Sequence, residues 1–160
     1  MANNLHRIKT LCFVFDAEND LILLQQYGAG KYARLHSGVD SDCLFAEDTA
    51  ASCKTNLLQK AGIQIAGLKL RGILKTIDPA EGEPTIYFVY EAGFVHGNLQ
   101  QNAEGRLKWV EVLNMFNLKY IPFVKEIIAH LLDGESFFEA FFELSESGEI
   151  VRQQIHPEYE

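Results

Sequence analysis

Residues 46–61 carry a helical pattern in a sequence that is otherwise dominated by strand patterns. Four apolar residues recur at spacings of three and four and form a stripe along one helix face: Ala50, Cys53, Leu57 and Ala61. Asp48 or Thr49 is suited to cap the start of this helix, and Gly62 is suited to end it. Such a stripe has to be buried against another element, so the helix is expected to form one layer of a larger fold.

The remaining patterns predict a mixed β-sheet. Alternating or β-branched segments predict strands over 8–16, 20–27, 65–77, 84–95, 106–112, 137–144 and 149–155. The segment 28–42 is punctuated by glycine and serine and predicts a loop with one short strand at most, and a second amphipathic helix is predicted over 121–132. Strands outnumber helices, and the two helices are far apart in the sequence. We therefore predict one domain, 1–160, of α/β (α+β) class, with helices packed on the faces of a mixed central sheet.

The composition excludes several functional classes. Lys and Arg number 14 against 22 Asp and Glu, which gives a net charge of −8. That average field repels polyanions, so we expect no nucleic acid polymer as a partner. Charges interrupt every apolar run before it reaches the ~18 residues that a membrane span needs. The N-terminal segment MANNLHRIKT lacks the apolar core of a signal peptide. We therefore expect a cytoplasmic protein with no membrane partner.

Cysteine and histidine give no sign of a metal site. Cys12, Cys43 and Cys53 form no CxxC pair, so we expect small free thiols rather than a zinc site or a disulfide framework. The five histidines, at positions 6, 36, 96, 130 and 156, show no spacing that suggests ligands. His36 lies in the glycine- and serine-rich loop and is expected to be an ordinary loop residue.

The order of these elements resembles the Nudix hydrolases. In that family a loop of the type GGxVDxGE leads into a helix that carries REUxEExGU. Three segments are similar to these motifs: SGVDS (37–41), AE (46–47, after a short insertion) and TNLLQKAGI (55–63). Four more are similar to the branch that hydrolyses oxidised purine nucleoside triphosphates: LRGIL (70–74), IYFVY (86–90), GRLKWV (105–110) and the FF hairpin at 137–138. The resemblance covers about residues 8–151 and implies a Nudix-like α/β/α sandwich with a mixed central β-sheet and two main helices.

The resemblance also implies a magnesium site on the first helix, and this sequence departs from it there. The family uses Mg²⁺ to attack a diphosphate with water, and three Glu at i, i+3 and i+4 converge on the ion. Here those positions hold Asn56, Gln59 and Lys60, and Thr55 stands where an arginine orients the cluster. Amides bring no charge, and an ammonium repels a metal ion. Together with Glu47, these residues are interpreted as a degenerate catalytic motif that uses no metal and no cofactor.

A group of carboxylates precedes the same helix: Asp40, Asp42, Glu47 and Asp48. Acidic residues at a helix N-terminus offset its dipole, which accounts for them without a ligand. The alternative is a relocated metal site, which would lie thirteen residues, at ~1.5 Å each, from position 60.

The segment around position 32 is the candidate for ligand recognition. Lys31-Tyr32-Ala33 stands where the oxidised-nucleotide branch carries Lys-Trp-Asn, so the aromatic ring is kept and the amide that reads the purine edge is absent. The basic residues Lys31, Arg34, Lys54 and Lys60 either hold a phosphorylated ligand without metal or are scattered, solvated charges. Five residues are therefore taken as ligand-binding candidates: Lys31, Tyr32, Arg34, Gly38 and Lys60.

Two functions remain. One is a non-catalytic module that binds a nucleotide, a phosphorylated small molecule or a protein partner. The other is an atypical Nudix hydrolase that cleaves a nucleoside diphosphate-linked substrate, such as an oxidised nucleoside triphosphate, with Mg²⁺ as its cofactor.

The segment FFEAFFEL, residues 137–144, also raises the question of self-association. Strand alternation places Phe138, Ala140, Phe142 and Leu144 on one face, which is predicted to be core. The opposite face carries Phe137 and Phe141. That apolar surface is covered either by a second copy of the chain in a homodimer or by the C-terminal tail.

Overall fold

A computed structural model describes residues 5–101, 105–134 and 136–157. The strands are β1 (Arg7–Asp16), β2 (Leu21–Tyr27), β3 (His36–Ser37), β4 (Val39–Asp42), β5 (Ile63–Ile77), β6 (Thr85–Gly97), β7 (Gly105–Glu111), β8 (Phe138–Leu144) and β9 (Ile150–His156). The helices are α1 (Thr49–Ala61) and α2 (Pro122–Leu132), and a short 3₁₀ helix spans Val112–Asn117. Among the described residues, no helix is long and apolar enough to cross a membrane.

The strands form one sheet in the order β3-β2-β1-β6-β5-β8-β9, with β4 pairing with β1 and β7 with β2. β1 runs parallel to β6, and β5 runs parallel to β8. The other pairs, such as β1 with β2 and β5 with β6, are antiparallel. The predicted mixed sheet is therefore confirmed.

The two helices cover opposite faces of this sheet, as predicted. Successive residues of a strand point to opposite faces. Leu11 and Phe13 of β1 belong to the core cluster that contains α2. Cys12 and Val14 belong to the cluster that contains α1. The result is an α/β/α sandwich with one apolar core on each side of the sheet.

Helix α1 begins three residues later than the predicted residue 46, because Asp48 ends the preceding loop as its N-cap. The Asp48 carboxylate accepts a 2.8 Å hydrogen bond from the backbone N–H of Ala51. The helix ends where Gly62 adopts a left-handed conformation, with φ 71°. The predicted stripe is confirmed: Cys53, Leu57 and Ala61 are buried, and Ala50 packs beside them.

Two local predictions need correction. The segment 28–42 holds two short strands rather than at most one: β3 pairs with β2, and β4 pairs with β1. They span only two and four residues, so their pairing comes from the neighbouring strands rather than from a pattern of their own. The 3₁₀ helix Val112–Asn117 was not predicted from the sequence; in it Met115 is buried, and Leu113 and Phe116 are exposed.

The predicted two-faced character of 137–144 is confirmed in part. Phe138, Ala140, Phe142 and Leu144 are buried in the α2-side core. On the opposite face Phe137 is 46% exposed, while the Phe141 ring is half-buried with the Arg152 guanidinium 5.2 Å from its centroid. The predicted alternative is that the C-terminal tail covers this face. The end of that tail, 158–160, lies outside the described residues.

Candidate functional site

The side chain of Asn56 is turned into the protein. It is 7% exposed, and its amide nitrogen lies 3.1 Å from the carbonyl oxygen of Asp42 and 3.3 Å from the hydroxyl of Ser52. Helix α1 therefore uses this residue to attach itself to the end of β4. An amide committed to two internal acceptors offers no charge to a metal ion.

Lys60 and Gln59 lie one turn further along α1. The Lys60 ammonium is 3.5 Å from the carbonyl oxygen of Asp40, so a fixed positive charge lies beside β4. Gln59 is exposed. At the other end of the motif, the Thr55 hydroxyl donates to the Glu47 carboxylate at 3.3 Å. Asn56, Gln59 and Lys60 therefore do not fit a Mg²⁺ ion, because they supply no carboxylate and the Lys60 ammonium repels the metal.

The four carboxylates before the helix have separate roles. Asp48 caps α1, Asp42 pairs with Arg7 at 3.1 Å, and Glu47 accepts from Thr55. Asp40 accepts a 2.6 Å hydrogen bond from the phenol of Tyr27. Across the described ranges, no group of three or more His, Cys, Asp or Glu side chains is arranged to hold a metal ion.

Next to Asp40 the structure has a cavity of about 180 Å³ on the α2 side of the sheet. Four aromatic residues from β2, the β2–β3 loop, β6 and α2 line it: Tyr27, Tyr32, Tyr87 and Phe123. The centroids of the Tyr87 and Phe123 rings are 5.7 Å apart. Such a wall of rings from separate elements suits a flat apolar group, because each ring offers a large and rigid contact surface.

Three charged side chains also line the cavity: Lys9, Asp40 and Glu81. The Lys9 ammonium is 3.7 Å from the Asp40 carboxylate. Glu81 accepts from the hydroxyl of Thr85 at 3.2 Å and pairs with Arg7 at 3.4 Å. Each lining carboxylate thus already has a hydrogen-bond donor that holds it in position.

Burial raises the pKa of both Tyr32 and Tyr87 well above the ordinary value for a phenol. For Tyr32 the carboxylates of Asp78, Glu81 and Glu149 add to this effect. For Tyr87 the carboxylates of Asp40 and Glu81 do the same. Both phenols therefore stay protonated and present neutral rings to the cavity.

The other basic candidates do not gather at this cavity. Lys31 pairs with the buried carboxylate of Asp78, and its ammonium lies 5.3 Å from the centroid of the Tyr32 ring. Lys54 lines a different cleft, formed by α1 and the start of β5. Arg34 is exposed and has a left-handed backbone conformation with φ 70°. Its backbone N–H donates to the backbone carbonyl oxygen of Tyr27. Two of these cations approach residues that line the cavity: the Lys31 ammonium lies near the ring of Tyr32, and the Lys60 ammonium lies near the backbone carbonyl of Asp40.

Gly38 has a structural reason for its small size. A Cβ atom at this position would lie 2.8 Å from the carbonyl oxygen of Cys12 and 3.1 Å from the ring of Phe13. Glycine therefore allows the chain to pass close to β1 just before β4 begins. This close approach brings Asp40 to the cavity.

The sequence alone did not identify Tyr27, Tyr87, Lys9 or Glu81 as site residues. Lys9 and Tyr87 lie opposite each other because β1 and β6 pair in parallel, with these two Cα atoms in register. The only local signal is that each lies on a predicted strand or beside a predicted turn. The convergence of Lys9 and Tyr87 depends on strand pairing across nearly eighty residues.

Comparisons with known proteins support the fold. No family model and no curated protein sequence matches the chain. A solved structure of a mutator MutT protein from Bacillus halodurans has a TM-score of 0.83 and 21% identity, over 96% of this chain and 99% of that one. A Nudix hydrolase from Nitrosomonas europaea has a TM-score of 0.68 and 14% identity, over 83% and 93%. The Nudix domain of Shewanella oneidensis NrtR, in complex with ADP ribose, has a TM-score of 0.64 and 11% identity, over 83% and 89%. The chain therefore has the Nudix fold.

Proposed function

Starting from the Nudix fold, we propose that this protein binds a nucleotide-type ligand without a metal ion. We further propose that its Mg²⁺-dependent diphosphatase activity is absent or very weak. The observation that carries this proposal is the position of Asp40. Its side chain lines the aromatic cavity, and its backbone carbonyl lies 3.5 Å from the Lys60 ammonium.

In this arrangement the base of the ligand enters the cavity and stacks on the tyrosine rings. The phosphate lies outside, on the side of Lys60. A lysine ammonium is a point charge that binds a phosphate directly, so it replaces the neutralising role that Mg²⁺ has in a hydrolase. It does not activate a water molecule, which is the second role of the metal.

A neighbouring structure supports the ligand class. The Nudix domain of Shewanella oneidensis NrtR is described in complex with ADP ribose, a ligand that combines a base with phosphates. The acidic net charge of −8 argues for a small ligand rather than a nucleic acid polymer.

The test is thermal unfolding with guanosine monophosphate (GMP), adenosine monophosphate and ADP ribose, each measured in Mg²⁺ and in a chelator. A ligand at ~100 times its dissociation constant stabilises the fold by nearly 3 kcal/mol. We expect equal stabilisation in both conditions and a loss of most of it in Lys60→Met. Lys54→Met is the matched control, because Lys54 is on the same helix but lines another cleft.

Turnover is measured in parallel as release of phosphate or pyrophosphate from nucleoside triphosphates and diphosphate compounds. Stabilisation that requires Mg²⁺, or turnover at the ~1 s⁻¹ or more usual for enzymes, would refute the proposal and favour the atypical hydrolase.

A further inference from the structure

The charged side chains that line the aromatic cavity are not equal in number: there are more carboxylates than ammonium groups. Its lining carries two carboxylates, Asp40 and Glu81, and one ammonium, Lys9. Lys9 lies 3.7 Å from Asp40 and offsets that carboxylate. Glu81 is paired outside the lining with Arg7, which also pairs with Asp42 at 3.1 Å. Among the lining side chains one negative charge is therefore in excess, and the nearby cations Arg7 and Lys60 lie outside the lining.

Carboxylates also lie near two of the tyrosines that line the cavity, Tyr32 and Tyr87. After burial itself, the groups that raise the pKa of Tyr32 are the carboxylates of Asp78, Glu81 and Glu149. Around Tyr87 the carboxylates of Asp40 and Glu81 are opposed by the Arg7 guanidinium. Besides burial, carboxylates are therefore the main groups that raise the pKa of these two phenols, while the Lys31 ammonium lies 5.3 Å from the centroid of the Tyr32 ring.

An electron-rich wall adds to the effect of the carboxylates. The faces of Tyr and Phe rings attract cations, and four such rings line the cavity. The phenol oxygen of Tyr32 is buried and has no hydrogen-bond partner among the described residues. A buried hydroxyl without a partner is costly, so a polar atom of a ligand at this point would be stabilised.

The size of the cavity limits what enters. Its volume of about 180 Å³ is below the ~300–1,000 Å³ of pockets that hold drug-sized ligands. It therefore admits one ring system rather than a whole nucleotide. A phosphate would meet the two lining carboxylates and be repelled, so it stays outside.

We propose that the cavity selects a nucleobase that carries a positive charge, such as an N-alkylated purine, over the neutral base. This inference rests on the proposed function, because it concerns the part of a nucleotide-type ligand that enters the same cavity. The selection comes from two sources, attraction to the rings and attraction to the unbalanced carboxylate.

The test compares three nucleotides by titration calorimetry at pH 6: GMP, 7-methyl-GMP and 7-methyl-7-deaza-GMP. The second has a cationic base at this pH. The third has the same methyl group on a neutral ring, so it controls for shape. A cation over aromatic rings contributes about 1 kcal/mol, so we expect 7-methyl-GMP to bind at least about fivefold more tightly than the deaza compound.

The outcomes separate the two proposals. Equal affinity for the cationic and neutral methylated bases would overturn this inference and leave the proposed function standing. Failure of all three nucleotides to bind would overturn this inference, and it would overturn the proposed function as well if adenosine monophosphate and ADP ribose also fail to stabilise the fold. Fivefold or greater preference for the cation supports both.

Two variants, each with a matched control variant, locate the source of the preference for the cationic base. Glu81→Gln removes the unbalanced carboxylate and is expected to reduce the ratio of the two affinities, whereas Glu83→Gln in the same turn is expected to leave it unchanged. Tyr32→Leu removes a ring and lowers the ratio, while Tyr32→Phe keeps the ring and largely preserves it. A ratio that is the same in Glu81→Gln, Tyr32→Leu and the parent would show that the cavity is not its source.

Discussion

Arg71 of β5 donates a 3.0 Å hydrogen bond to the carbonyl oxygen of Leu131 at the end of α2. Arg71 is 1% exposed, and its guanidinium also donates to the carbonyl of His130 at 3.2 Å and to that of Gly134. The Glu91 carboxylate pairs with the same guanidinium at 3.2 Å. A side chain from the sheet thus provides partners for the last carbonyl groups of α2, which have none within the helix.

Replacing Arg71 should therefore destabilise the whole fold. Arg71→Met leaves buried carbonyl groups unpaired, and we expect a loss of about 3 kcal/mol. For a domain of this size that corresponds to a fall in Tm of roughly 6–12 °C. Arg152→Met is the control, because its pair with Glu143 is exposed and should contribute less than about 1 kcal/mol. Similar melting temperatures for the two variants would contradict the assigned role of Arg71.

Gly38 should tolerate no side chain. Gly38→Ala places a methyl group 2.8 Å from the carbonyl oxygen of Cys12, so β4 has to shift, and we expect a cost of about 1–3 kcal/mol. Gly28→Ala is the matched control, because an added Cβ there meets nothing within 4 Å. Denaturant unfolding should show a lower midpoint for the first variant alone. Equal midpoints would mean that the close approach of β4 to β1 is not required.

Restoring the carboxylates of the helix motif should create a magnesium site. The loss of stability in the absence of metal should differ from one position to the next. Gln59→Glu and Lys60→Glu change exposed or half-buried positions and are expected to be tolerated without metal. Asn56→Glu buries a carboxylate against the carbonyl of Asp42 and should cost about 1–3 kcal/mol.

The quadruple variant, which also carries Thr55→Arg, should be less stable than the parent in a chelator and should regain stability in Mg²⁺. The parent should show no Mg²⁺-dependent shift in thermal unfolding. A shift of equal size in the parent would contradict the interpretation of positions 56, 59 and 60.

Acid should destabilise the protein through two buried histidines. Burial lowers the pKa of His36 and His130 below the ordinary 6.5; nearby Lys108 acts in the same direction on His36, while the carbonyl of Lys119 opposes it. Near and below pH 6.5 the unfolded chain thus binds more protons than the folded chain, so stability falls as the pH falls.

We expect a lower denaturant midpoint at pH 5.5 than at pH 7.5, and a smaller difference in the double variant His36→Gln, His130→Leu. The measured quantity is the change with pH, so a general loss of stability in the variant does not affect the comparison. The same pH dependence in the variant and the parent would assign it to other groups.

The outer face of β8 should support a homodimer. Phe137 is 46% exposed there, and the ring of Phe141 on the same face is half-buried. Light scattering should give a mass near twice the 18.1 kDa of one chain. Phe137→Ser should shift it toward the monomer, whereas Leu113→Ser, which removes an 86% exposed side chain on the 3₁₀ helix, should not. A monomer mass for the parent at high concentration would contradict the homodimer.

Much of the fold could be predicted because its signals are local. The stripe from Ala50 to Ala61 and the end at Gly62 define α1 within thirteen residues. Alternation along 137–144 assigns the buried face of β8 in the same way, since a strand has a period of two. The chemical character of positions 56, 59 and 60 also follows from the sequence, because the residue type alone decides whether a carboxylate is present.

The tertiary structure decided how those residues are used. The sequence does not show that Asn56 turns inward to the carbonyl of Asp42, or that Asp40 lies between Tyr27 and Lys60. The aromatic cavity depends on the parallel register that places Lys9 opposite Tyr87. Such contacts arise from pairing between strands that are distant in the sequence. That pairing is set by the packing of both faces of the sheet, which no local sequence pattern contains.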